Sequence, residues 1–156
     1  MIDAGALVAA ATRAGLTITT AESCTGGMVS AAITDIAGSS AVFERGFVTY
    51  SNAAKVEMLG VSQASLDTHG AVSEAVAVQM AEGARRAVGA DIAVAITGIA
   101  GPGGSEHKPE GRVCFAIADR HGTRSETRDF GALGRGAVRA RSVEVALALL
   151  MDSVSA

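Results

Sequence analysis

The chain has 156 residues, of which 49% are hydrophobic, enough for one domain of ordinary size with a single core. Its net charge is −3 and its isoelectric point about 5.6, which argues against a general nucleic-acid binder with a broad basic face. No apolar run approaches the length a bilayer requires, and no basic stretch precedes the apolar N-terminus, so a cytoplasmic protein without membrane or nucleic-acid partners is expected.

Residues 3–14 are alanine-rich and read as a helix. LTITTA, 16–21, alternates and reads as a strand. Residues 25–36 have helical composition, with Met28, Val29, Ala32 and Ile33 on one side. AGSS is a loop, and FERGFVTY, 43–50, a strand containing a glycine. NAAKVEML, 52–59, is a short helix that Gly60 ends. After a connector with one helical turn, Ser73 caps a helix to about Val88, striped by Val76, Met80 and Ala84. DIAVAITGIA, 91–100, holds a strand buried on both faces, followed by the glycine- and proline-rich GPGGSEHKPEG. RVCFAIA, 112–118, is another apolar strand, GTRSETRDFG an exposed edge strand, and 134–152 the last helix. This order predicts an α/β fold, a sandwich with a mixed, mostly parallel sheet, in one domain spanning 1–156.

Ligands of open α/β sheets bind beyond the C-terminal ends of the strands. Three polar loops fall there: ESCTGG, YSNAAK and TGIAGPGGSE. In the first, Ser23 and Cys24 are adjacent candidate nucleophiles. Ser23 or Thr25 also suits a helix cap, while Gly26 and Gly27 permit a ligand to approach free N–H groups. The second holds the only tyrosine, Tyr50, and one of only two lysines, Lys55. A lysine desolvated beside a serine accepts its hydroxyl proton and needs neither histidine nor metal. The third supplies Thr97, Gly98 and further glycines in a loop long enough to close over a small ligand. His69, His107 and His121 show no metal-ligand spacing, so neither metal nor cofactor is expected. Seven arginines lie between Arg112 and Arg141, either as a solvated face or as an anion-binding side.

The segments TAESCTGG, DIAGSSAVFERGFVTYSNAAK, HGAVSE and TGIAGPGGSE-KPEG, in this order, resemble the CinA C-terminal domain family, the nicotinamide-nucleotide amidohydrolases. The resemblance implies a three-layer α/β/α sandwich, a stand-alone deamidase form, and dimers or larger homo-oligomers. It implies hydrolysis of the carboxamide of nicotinamide mononucleotide (NMN), with Ser23 as nucleophile, Lys55 as base and Tyr50 near the reacting group. Backbone N–H groups around Thr25, Gly26 and Gly27 would hold the oxyanion. Thr97 and Gly98 would line the substrate site. The 5′-phosphate would fall to Arg139, Arg45 or the loop from Gly98 to Gly104. Cys24 should then face the core, since successive residues leaving a strand point to opposite sides. Two alternatives are a cysteine hydrolase using Cys24 with His69, and a catalytically silent nucleotide-binding module of the same fold.

Overall fold

The computed structural model describes residues 2–105 and 107–156; Met1 and Glu106, the last residue of the TGIAGPGGSE segment, lie outside the described residues. Helix α1 (Ala4–Ala14) precedes strand β1 (Ile18–Glu22) and helix α2 (Met28–Thr34). A turn of 3-10 helix and the short strand β2 (Phe47–Val48) lead to α3 (Asn52–Leu59), α4 (Gln63–His69) and α5 (Glu74–Val88). Strands β3 (Ile92–Gly98), β4 (Arg112–Asp119) and β5 (Gly122–Asp129) follow, and α6 (Arg135–Ser155) closes the fold.

The helix ends follow local chemistry. Asp3 and Ser73 accept from the N–H groups of Ala6 and Val76, capping α1 and α5. Gly60 ends α3 in the left-handed conformation, as its position in the sequence predicts. The connector after Gly60 forms more helix than the one turn expected, because Ser62 caps α4 by accepting from Ser65 N–H.

Sheet order is β2-β1-β3-β4-β5. β1 pairs in parallel with β2 and β3, while β4 runs antiparallel to both of its neighbours. Four of the five strands therefore share one direction, the mixed and mostly parallel sheet expected. Alternation along the central strands sorts two cores. Val94, Ile96, Phe115 and Ile117 join residues of α1, α2 and α6 in one. Ala93, Ala95, Ala116 and Ala118 join residues of α3, α4 and α5 in the other. The large side chains, each worth about 1.5–3 kcal/mol on full burial, fill the first layer. The alanines leave room for α5 to lie close on the second.

The strand expected over 43–50 shrinks to two residues. Phe43 makes only an isolated bridge to Ile18, and the chain lifts away before Phe47. A Cβ at Gly46 would lie 2.3 Å from Thr20 Oγ1 and 2.6 Å from Ser30 Oγ, so the backbone crosses a hydrogen-bonded pair of hydroxyls there. A second close approach joins two helices. A Cβ at Gly83 of α5 would lie 1.8 Å from the carbonyl oxygen of Leu59 at the end of α3.

Candidate active site

The C-terminal ends of β1, β2 and β3 bring the three polar loops to one end of the sheet. Ser23 is the first residue beyond β1, and its N–H still donates to Ile96 O at 2.9 Å, which sets its backbone on the sheet. Lys55 lies in α3, whose N-terminus Ser51 caps by accepting from Ala54 N–H at 3.0 Å. The lysine is 1% exposed. Its Nζ lies 3.0 Å from Ser23 Oγ and donates to the carbonyls of Thr49 at 2.9 Å and Tyr50 at 3.1 Å. Ser23 and Lys55 border a cavity of about 310 Å³ whose wall is the loop from Gly98 to Ser105.

The turn between β1 and α2 is built by an acid. Glu22 is fully buried, and its carboxylate accepts from Val29 N–H, Ser30 N–H and Ser30 Oγ at 2.9, 3.0 and 2.8 Å. It thus caps α2 from outside the helix, where the dipole favours negative charge. Neither Ser23 nor Thr25, the two residues suited to a cap, therefore serves as one, and the helix does not begin at Thr25 as its composition suggests. Gly26 and Gly27 have φ of 56° and 104°, which no helix accommodates, and α2 begins at Met28.

Thr25, Gly26 and Gly27 do not border the cavity. The Gly26 N–H donates to the Ser23 carbonyl at 3.0 Å, which removes it from the expected oxyanion donors. Arg139 also stands elsewhere than expected. Its Nε donates to Cys24 O at 3.0 Å and its Nη2 to Thr25 O at 3.4 Å, so it ties α6 to the turn after β1. Arg45 pairs with Glu44 on the surface.

Thr97 does border the cavity, but its Oγ1 donates to Ala71 O at 2.8 Å and holds the HGAVSE segment against the end of β3. Gly98 is required by packing: a Cβ there would lie 2.6 Å from Val113 Cγ2. The Tyr50 ring is 61% exposed at the mouth, and its Oη accepts from Arg135 Nη2 at 3.0 Å.

Cys24 is 5% exposed and belongs to the core cluster with Val29 and Ile33, although it also borders the cavity. Burial pushes its thiol up to about 11, so it is protonated at neutral pH and a poor nucleophile. His69 is exposed and does not border the cavity, which leaves the cysteine alternative without its base. Among the described residues no group of three His, Cys, Asp or Glu is placed to hold a metal ion, and no helix is long and apolar enough to cross a membrane.

Three contributors escaped the sequence reading. Glu22 was visible as an acid just before a glycine pair and a helix start. Arg135 was hidden among seven arginines. Lys108, the second lysine, donates from Nζ to the carbonyls of His69 and Val72 and so joins the glycine loop to the opposite wall.

The model of the CinA C-terminal domain matches residues 4–154. The chain belongs to the CinA C-terminal domain family. One relative is the nicotinamide-nucleotide amidohydrolase PncC of Escherichia coli K12, 58% identical over 137 residues, covering 87% of this chain and 83% of that protein. A CinA-like protein of Mycolicibacterium gilvum is 52% identical over 155 residues, covering 97% of this chain but 37% of its own length. Thus the CinA C-terminal domain also occurs within longer proteins. Among solved structures, the competence/damage inducible protein CihA of Agrobacterium tumefaciens superposes with a TM-score of 0.93 at 48% identity, covering 98% of this chain and 93% of that one. A CinA superfamily protein of Klebsiella pneumoniae also gives 0.93, at 38% identity, covering 97% and 95%.

Proposed function

We propose that this protein hydrolyses the carboxamide of nicotinamide mononucleotide to nicotinic acid mononucleotide and ammonia. The carrying observation is the 3.0 Å separation of Lys55 Nζ and Ser23 Oγ at the buried side of an open cavity. The name of the E. coli relative supports the substrate. A cavity of this size also suits a small ligand.

Lys55 acts as base in its neutral form. A neutral amine keeps two N–H bonds and one lone pair. The carbonyls of Thr49 and Tyr50 accept the two N–H bonds, and the lone pair then faces the Ser23 hydroxyl. Burial of the amine disfavours its charged form and favours this state. Lys55 takes the Ser23 proton as Oγ bonds to the carboxamide carbon. Charge on the amide oxygen requires N–H donors that face the Ser23 hydroxyl. Lys55 passes the proton to the nitrogen, the C–N bond breaks, and ammonia leaves an acyl-serine. A water then gives its proton to Lys55 and its oxygen to the acyl carbon. The serine ester bond breaks, Ser23 recovers the proton, and the acid product ionises.

The test is ammonia release from NMN by the wild-type protein, Ser23→Ala, Lys55→Met and Cys24→Ala. Ser23→Ala and Lys55→Met should each lower kcat about a thousandfold or more, with folding unchanged. Cys24→Ala should stay within about threefold of wild type. Loss confined to Cys24→Ala would move the nucleophile to the neighbouring thiol. A wild-type protein that releases no ammonia would sink the reading.

A further inference from the structure

Cys24 borders the cavity although it is only 5% exposed and its thiol stays protonated at neutral pH. A buried, protonated thiol offers a ligand little, which leaves the main chain. Only the Cα and carbonyl carbon of Ser23 stand between the Ser23 side chain and the Cys24 nitrogen, so this N–H lies beside the Ser23 hydroxyl. The carbonyl of the same peptide, that of Ser23, accepts from Gly26 N–H at 3.0 Å. In a trans peptide the N–H points opposite to the C=O, so the Cys24 N–H points out of the turn. It has no hydrogen-bond partner among the described residues. Buried main-chain N–H groups without a partner are rare, so this one calls for a ligand atom. Its neighbours do not compete: Gly26 N–H is spent on Ser23, and Thr25 and Gly27 do not border the cavity.

Arg139 reaches this turn from α6. Its Nε and Nη2 donate to the carbonyls of Cys24 and Thr25, the two that follow the carbonyl of Ser23. The side chain is half-buried, and no carboxylate pairs with it among the described residues. A cation withdrawn from water is ordinarily paired. Here its charge is directed at the turn alone, where it favours an oxygen that becomes negative beside Ser23.

We propose that the Cys24 N–H is the oxyanion donor of this site and that Arg139 is its positioning residue, acting through the carbonyls of Cys24 and Thr25. This rests on the reading of Ser23 as the nucleophile. As Ser23 Oγ bonds to the carboxamide carbon, its proton goes to Lys55 and the C=O π pair moves to the amide oxygen. That oxygen then accepts from Cys24 N–H. The oxygen of the planar amide carries less charge and gains less from the same donor, so the contact is strongest in the transition state. Without Arg139 the turn keeps its Gly26 bond but loses the restraint on the Cys24 carbonyl, and with it the aim of the N–H.

The test measures kcat and KM for NMN in the wild type, Arg139→Met and Arg139→Lys. Beside them it measures the affinities of pyridine-3-boronic acid and of nicotinamide, two ligands with the same ring. Ser23 Oγ adds to boron, its proton passes to Lys55, and the tetrahedral adduct is an anion with an oxygen where the oxyanion forms. Nicotinamide stays planar and neutral. Arg139→Met should lower kcat about 10- to 100-fold, with KM changed less than about threefold. Boronate affinity should fall by the same factor, while nicotinamide affinity stays within about threefold. Arg139→Lys should recover part of both losses, since it restores the charge and a donor without the fork. If Arg139→Met does not fold, Arg139→Lys carries the comparison, with an expected loss of about three- to tenfold. Equal losses for boronate and nicotinamide would overturn the proposal, because they mean that Arg139 only holds the turn together. A raised KM with unchanged kcat would overturn it too. Should the wild type release no ammonia, the amidase reading fails alone, and the boronate decides. An adduct weakened by Arg139→Met then supports the donor assignment. An equal adduct, or none with the wild type, overturns it.

Discussion

The loop after β1 and the loop after β3 leave the same end of the sheet and are both rich in glycine, yet they use their polar groups in opposite ways. Residues 23–27 are closed on themselves. Glu22 caps the following helix, Gly26 binds the Ser23 carbonyl, and Arg139 holds the carbonyls of Cys24 and Thr25. Of this loop only Ser23 and the buried Cys24 border the cavity. The loop from Gly98 to Ser105 is the reverse. It supplies the wall, and it is held from outside by Arg135 and through Lys108. The lesson is a division of labour: one loop fixes a single atom and the other gives shape. Fixing one reactive atom requires a rigid, satisfied network, whereas shaping a wall requires backbone free to approach a ligand.

The comparison is broken most directly at Glu22. Replacing it with Gln puts an amide NH₂ against at least one of the three donors it accepts from, inside a buried site. This should cost about 2–3 kcal/mol, lowering Tm by roughly 5–10 °C in thermal unfolding. A Tm within about 1 °C of wild type would mean that the turn does not depend on its acid.

The second effect concerns Cys24. With its thiol raised from 9.0 to about 11 by burial, the thiolate fraction at pH 8 is about a hundredfold below that of an ordinary thiol. Iodoacetamide labelling followed by mass spectrometry should be correspondingly slow at Cys24. Its rate should keep rising towards pH 11 instead of levelling near 9. Fast labelling at pH 8 in the folded protein would show that the loop opens.

The smallest effect falls on the wall. Lys108→Met removes two donors that tie the glycine loop to residues 69 and 72. KM for NMN should rise about tenfold while kcat changes little, since Ser23 and Lys55 stand on other elements. A larger loss in kcat than in KM would tie the wall to chemistry as well as to binding.

Much of this was legible in the residues, for local reasons. The Val76, Met80 and Ala84 stripe, the Gly60 cap and the apolar runs of β3 and β4 depend on periodicity and turn chemistry, which a sequence carries. The scarcity of lysine singled out Lys55, and its neighbour Ser23 followed from the resemblance. The rest depended on contacts between distant segments. The close approach of Gly46 to the hydroxyls of Thr20 and Ser30 is one such contact. Arg135 and Arg139 lie about one turn apart on the same helix and are chemically identical. Only the packing of that helix assigns one to the cavity mouth and the other to the turn behind Ser23. Arg139, expected at the substrate, thus lies against the carbonyls of Cys24 and Thr25.

The contact between Gly83 and Leu59 reaches further than its place among the helices suggests. Leu59 and Lys55 are one turn apart on α3, so the depth to which that helix seats on α5 also sets where the amine stands relative to Ser23. Glycine at 83 is in effect a mechanical stop with no thickness. A single methyl group there would act as a shim, lifting the Lys55 amine from the Ser23 hydroxyl without touching either.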